Sequence, residues 1–197
     1  TFYAQDREMV GWDQISQYVK DAAVSEEDPR FYTHGGVDVL ATSRAVLQNV
    51  AGQGFSGAST ITMQYVRNVL IQEAEAISDP EESQAAYDAA MKQSIDRKLQ
   101  EMRYAVSLEK VYSKDEILLG YLNIALFGRQ IYGIESAAQY YYAKPAADLT
   151  LHIAALPAII AQAHRNRVHH GNRRNGRIHA VKDRRAFGRR LVGQARV

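Results

Sequence analysis

The chain has no cysteine among its 197 residues. That excludes a disulfide, a thiol nucleophile and a thiolate metal site. It suits an oxidising exterior without requiring one. Long hydrophobic runs are also missing. The longest, from Leu151 to Ala163, contains His152 and Pro157 and is too short to span a bilayer. No leader is read at the start, where Thr1 opens directly into polar sequence. The expectation is a chain that does not itself cross a membrane, with any anchor lying outside it. No histidine pair has the i, i+4 spacing of a zinc helix, and the adjacent His169 and His170 would point apart on any helix. Period-2 alternation never extends beyond four residues, and there is no internal repeat. Acidic residues are nearly absent from the end of the chain. Residues 164–197 hold eleven Lys/Arg against one acid, Asp183, while the first 163 hold thirteen Lys/Arg and twenty-one acids. Such asymmetry marks an electrostatic tail of the kind that meets phosphate or anionic lipid.

What is present reads as helix. An apolar fraction of 46% suffices for a packed core, and the length fits one domain, or one with a small appendage. Asp21 and Ser25 are ambiguous caps for a short helix near the start. Asp38 is a good N-cap for a helix to about Val50. Three glycines fall within Ala51–Gly57, a loop, and Ser59 or Thr60 starts the next helix. Ser78-Asp79-Pro80-Glu81-Glu82 combines a cap, a first-turn proline and acids against the dipole. The helix it starts is predicted to run to about Tyr112, roughly 45–50 Å if unbroken. Ser113-Lys114-Asp115-Glu116 is a capping box for a helix over Ile117–Asn123. Further helices are expected over Gly133–Tyr142 and Leu149–Ala163, the last kinked at Pro157. The fold class is all-α.

Two phrases stand apart from ordinary core sequence. The first is Glu27-Asp28-Pro29-Arg30-Phe31-Tyr32-Thr33-His34-Gly35-Gly36-Val37-Asp38, and the second is Gly57-Ala58-Ser59-Thr60-Ile61-Thr62-Met63-Gln64. Glu27, beside another acid, is a candidate general base if its pKa is raised. The plain alternative is two surface acids. His34 is a candidate participant or a structural hydrogen-bonder. Further on, Arg97, Lys98 and Glu101 share one helical face by their spacing. They form either a solvated charge patch or a cationic site for a pyrophosphate.

Together and in this order, these phrases resemble the first motifs of the peptidoglycan glycosyltransferases (family 51), the transglycosylase domain of class A penicillin-binding proteins and the monofunctional transglycosylases. The first motif is matched by Glu27, Asp28, Phe31, His34 and Gly36. The second, Gly-x-Ser-Thr-Ile-Thr-Gln-Gln, is matched by Gly57, Ser59, Thr60, Ile61, Thr62 and Gln64, with Met63 in place of the first Gln. A lysine usual soon after is Arg67 here, keeping the charge but not the point geometry. Arg97, Lys98 and Glu101 match Arg-Lys-x-x-Glu. Lys114, Ile117, Leu118, Tyr121, Leu122 and Asn123 match the fourth motif. Gly128, Arg129, Tyr132, Gly133, Ile134, Glu135, Ala137, Ala138, Tyr141 and Lys144 match the fifth. The resemblance covers residues 27–144 closely and ends near Ala163. It divides the chain into a glycosyltransferase domain over 1–163 and a basic segment over 164–197. That segment is left open between a phosphate- or lipid-facing element, a nucleic-acid-binding arm and a stretch that does not fold natively.

The resemblance implies a lysozyme-like helical domain with a membrane-facing subregion, working at the outer face of the bacterial cytoplasmic membrane. Its reaction polymerises lipid II into β-1,4 glycan strands, with inversion at MurNAc C1 and release of undecaprenyl pyrophosphate. It assigns Glu27 as base. Arg67, Arg97 and Lys98 become cations for the pyrophosphate, with Arg30 and Arg129 as helpers. Glu101 orients that cluster or binds a divalent metal, Mg or Mn, and no organic cofactor is implied. Ser59, Thr60 and Gln64 would bond sugar or phosphate oxygens. Asp28, Phe31, His34, Gly57 and Asn123 complete the expected substrate-binding set, although Asn123 and Tyr121 also read as braces and Leu118 and Leu122 as core. Val39 to Phe55 is the expected membrane-inserting segment, against the alternative of a plain amphipathic core helix. Expected partners are lipid II, the growing glycan, the membrane surface, a fused transpeptidase domain and cell-wall synthesis proteins. Three rivals remain. A lysozyme-type hydrolase has no need of the Arg-Lys-x-x-Glu face. A nucleic-acid-binding module explains the tail but not the first 144 residues, so nucleic acid is not an expected partner. An inactive scaffold would fit Met63 and the tail.

Overall fold

The computed structural model describes residues 8–50, 59–92, 94–128 and 131–151. The predicted helix over Leu149–Ala163 lies outside the described residues beyond Leu151, and Leu149 itself is extended; the basic tail, Gly57 and Arg129 also lie outside. Among the described residues there are seven α-helices and no sheet. They are α1 (Gln17–Glu27), α2 (Val39–Val50), α3 (Ile61–Glu75), α4 (Pro80–Met91), α5 (Ile95–Leu108), α6 (Lys114–Ile124) and α7 (Ile134–Tyr142). Their only extended pairing is one isolated antiparallel bridge, Leu126 with Tyr132.

Local chemistry accounts for most helix starts. The Asp38 carboxylate accepts from the Ala41 N–H at 3.0 Å, and Thr60 Oγ1 accepts from the Met63 N–H. Asp79 accepts from the N–H groups of Glu81 and Glu82, with Pro80 in the first turn. Ser113 and Glu116 close a reciprocal capping box. The start of α1 differs from expectation. Asp21 and Ser25 lie inside it, and the N-cap position is Ser16. The Ser16 hydroxyl donates instead to the Leu149 carbonyl at 2.6 Å, and its N–H bonds the Ala146 carbonyl. A partner 133 residues away in sequence leaves no local signal.

The single long helix expected between residues 80 and 112 is two helices. Lys92 ends α4 in extended conformation, and Ser94 caps α5 by accepting from the Arg97 N–H. The Arg97 Nε–H also donates to the Lys92 carbonyl. A serine N-cap with Asp96 in the first turn restarts the helix without a proline or glycine at the break.

Helix α6 is the centre of the core. Ile117, Leu118, Tyr121 and Leu122 are each at most 1% exposed. Apolar residues on nearly every side mark a helix surrounded by others. Helix α3 packs against α4, α5 and α6, and so spans the space between the core and the outer helices. Gly36 shows how tightly the loop before α2 meets α5. Its φ is +85°, and a Cβ there would lie 2.7 Å from the Ala105 backbone carbonyl. The Gly36 carbonyl accepts from the Thr60 hydroxyl at 2.7 Å. One residue thus joins the loop, α3 and α5.

Candidate active site

Glu27 is the last residue of α1, and its carboxylate is half-buried. Gln64, on the first turn of α3, donates its Nε2–H to Glu27 Oε2 at 2.9 Å. Burial pushes the Glu27 carboxyl above the ordinary range. The Gln64 hydrogen bond pulls it back, and the neighbouring Glu26 pushes it up again. The negative end of the α1 dipole acts in the same upward sense. A carboxylate with a raised pKa and one face open is chemically a proton acceptor in waiting.

One turn along α3, Arg67 reaches a second carboxylate. Its Nε and Nη2 donate to the two oxygens of Glu101 at 2.6 and 2.9 Å, a bidentate fork. Arg97 donates to the same Oε1. Lys98 lies 3.5 Å from Oε2 and donates to Ser59 Oγ at 2.7 Å. Glu101 itself is 1% exposed. Burial would raise its pKa, but the Arg67 hydrogen bond and the charges of Arg67, Lys98 and Arg97 outweigh burial and hold it below the usual value. Burial lowers Lys98 to about 8. Glu101 draws it upward, while Arg67 and Arg97 push it down. Three cations gathered on one carboxylate leave a net positive patch. Their exposure, 16–27% of each side chain, leaves them able to meet a polyanion.

Helix α3 thus carries the partners of both carboxylates, Gln64 for Glu27 and Arg67 for Glu101. Three residues apart, they lie on one face, about 4.5 Å along the axis. The proton acceptor and the cationic cluster therefore stand side by side.

Other predicted site residues lie beneath this face. Phe31 is fully buried in the core. Asp28 accepts from the Ile61 N–H at 3.1 Å and pairs with His34 Nε2 at 2.8 Å, both side chains being nearly inaccessible. His34 is thus placed as a structural hydrogen-bonder that fixes the loop to the start of α3. Thr60 serves as cap and as a donor to Gly36. Asn123 makes two bonds to the Val10 backbone, accepting at 3.0 Å and donating at 2.9 Å, so it clasps the N-terminal segment as a brace. Arg30 is the more open cation, its side chain 42% exposed and 3.6 Å from Asp38.

Glu101 does not fit a metal ligand. Both oxygens are taken by cations, which repel a further one. Among the described residues no group of three His, Cys, Asp or Glu stands together. Its position is that of an orienting group.

Sequence reasoning missed one supporting cluster. Glu109, at the end of α5, accepts from Thr62 Oγ1 at 2.5 Å and from Lys114 Nζ at 2.8 Å. The Lys114 ammonium stands 4.4 Å from the centre of the Phe31 ring. Thr62 and Lys114 both fall in matched motifs. Glu109 does not, and nothing local marks it.

The sequence pattern of the family described as "Transglycosylase" matches residues 1–186. The chain is 35% identical over 164 residues to "Penicillin-binding protein 1F" of Bacillus subtilis (strain 168), covering 83% of this chain and 20% of that one. It is 37% identical over 155 residues to the "Biosynthetic peptidoglycan transglycosylase" of Marinomonas sp. (strain MWYL1), covering 79% and 61%. To the "Monofunctional glycosyltransferase" of Staphylococcus haemolyticus (strain JCSC1435) it is 41% identical over 133 residues, covering 68% and 43%. The chain spans about a fifth of the length of the penicillin-binding protein above and under two thirds of the other two. With a match over nearly its whole length, this chain belongs to the Transglycosylase family.

Proposed function

We propose that this chain is a peptidoglycan glycosyltransferase domain that polymerises lipid II into glycan strands. The observation that carries the reading is the pairing on α3 of a carboxylate of raised pKa with a three-cation cluster. A lysozyme-type hydrolase has no use for that cluster. In the proposed step the acceptor GlcNAc O4 attacks MurNAc C1 of the growing glycan. The C1–O4 bond forms on the face opposite the departing group, and the C1–O bond to pyrophosphate breaks. The O4 proton passes to Glu27, and the lipid pyrophosphate leaves with the bonding electron pair. A sugar hydroxyl needs a base as its bond forms. The leaving group is a stable anion and needs positive charge rather than an acid. Arg67, Arg97 and Lys98 supply that charge, Glu101 orients them, and Ser59 holds the Lys98 ammonium in place.

The lipid portions of donor and acceptor stay in the bilayer, so the domain works against the membrane surface, in the proposed setting the outer face of the cytoplasmic membrane. Support comes from α2, where Val39, Leu40 and Leu47 are 70%, 58% and 70% exposed. Among the described residues no helix is long and apolar enough to cross a membrane. A lysozyme-like arrangement of the helices and a transpeptidase domain in the intact protein belong to the same proposal.

The test is polymerisation of purified lipid II in detergent, comparing the full chain with Glu27→Gln. The wild type should yield strands, and the variant should lose about 10²–10⁴-fold in rate. Equal rates would remove Glu27 as base, and no product from either protein would sink the reaction.

A further inference from the structure

The Glu27–Gln64 contact extends one residue deeper. Tyr121 of α6 is fully buried, and its hydroxyl lies 3.4 Å from Gln64 Oε1. Gln64 is 6% exposed, so its amide has little access to water. An amide offers a donor on one side and an acceptor on the other, whereas an ionised carboxylate only accepts. The Nε2 side must therefore face Glu27 when that group is charged, which turns Oε1 toward Tyr121. A flipped amide would put two acceptors face to face at Glu27. That arrangement is tolerable only with the carboxyl protonated.

We propose that Tyr121 is a positioning residue for the proton-accepting carboxylate. Its hydroxyl holds the Gln64 amide with Nε2–H toward Glu27, and so sets both the direction of the carboxylate and its acidity. The inference rests on the reading of Glu27 as the base. Other charged groups around Glu27 are Glu26 and Asp28 beside it in the chain. Arg67, a turn further along α3, gathers with Arg97, Lys98 and Glu101 of α5. Glu26 opposes ionisation, and Gln64 donates the hydrogen bond that favours it. The negative charge on Glu27 in turn opposes ionisation of Tyr121, after burial the second influence raising it. That keeps the hydroxyl a donor at every working pH.

The test uses Tyr121→Phe and Gln64→Leu in the full chain. The first keeps the ring and the packing. Two readouts are needed. One is the NMR titration of the Glu27 carboxyl carbon without substrate. The other is the pH dependence of kcat/KM for lipid II polymerisation. In both variants the Glu27 midpoint should rise by up to about one pH unit, the size a single hydrogen bond supplies. The acid limb of kcat/KM should move with it. A Gln64→Leu shift with Tyr121→Phe unchanged would overturn the role of Tyr121, and no shift in either would overturn the whole chain of contacts. If the wild type made no polymer while both midpoints rose, the reaction reading would fail and the positioning of the carboxylate would stand.

Discussion

At the scale of single residues, Lys98 has the most to lose from a change of pH. Burial and two neighbouring guanidinium groups bring its ammonium to about 8. The free enzyme's kcat/KM for the proposed reaction should therefore fall above pH 8, as the cation proposed to meet pyrophosphate becomes neutral. Lys98→Arg keeps the charge to far higher pH. In that variant the basic limb should move upward by at least one pH unit, at some cost in rate from the changed shape. A limb that stays near 8 would mean that another group titrates there. Residue identity was largely legible from sequence at this scale, because the family spacing marks Glu27, Arg67, Arg97, Lys98 and Glu101. Which oxygen each meets was not legible. The spacing alone suits Glu101 as metal ligand or as orienting group, and only the fold places three cations around it.

At the scale of elements, the break between α4 and α5 sets the aim of the cluster. Ser94 holds the first turn of α5, where Arg97 and Lys98 sit. Ser94→Ala should destabilise the protein by about 1 kcal/mol and raise KM more than it lowers kcat, read by thermal melting and steady-state kinetics. Gly36→Ala is the harsher change. The φ of +85° and the 2.7 Å approach to the α5 backbone leave no room for a methyl group. A loss of about 2–3 kcal/mol in denaturant stability is expected from strain and overpacking together. Helix starts at 38, 60, 79 and 113 were legible because each uses a side chain bonded two or three residues ahead. The restart at Ser94 carried the same kind of signal. It was outweighed by an uninterrupted run of helix formers on both sides.

At the scale of the whole molecule, Glu101 links stability to pH. Its folded pKa lies below the unfolded value near 4.5. The stability it contributes is therefore present above about pH 5 and is lost as pH falls through the folded pKa. Glu27, with its raised pKa, acts in the opposite sense, because its ionisation opposes folding as pH rises. In Glu101→Gln, three cations lose their counter-charge. Stability at pH 7 should drop by about 3 kcal/mol, and the decline on acidification should flatten. Urea unfolding from pH 3 to pH 7 measures both effects. A variant as acid-labile as the wild type would show that Glu101 is not the group being protonated.

The sequence by itself determined the mostly helical class, the capped helix starts and the order of the motifs. Each depends on neighbours within a few positions or on a spacing that a linear pattern preserves. Only the tertiary structure decided that Ser16 is engaged by Leu149, that Asn123 clasps Val10, and that Tyr121 stands behind Gln64. Those contacts join residues 57 to 133 positions apart. Their partners are selected by how helices pack, and packing depends on the shape of the whole core rather than on any local run of residues.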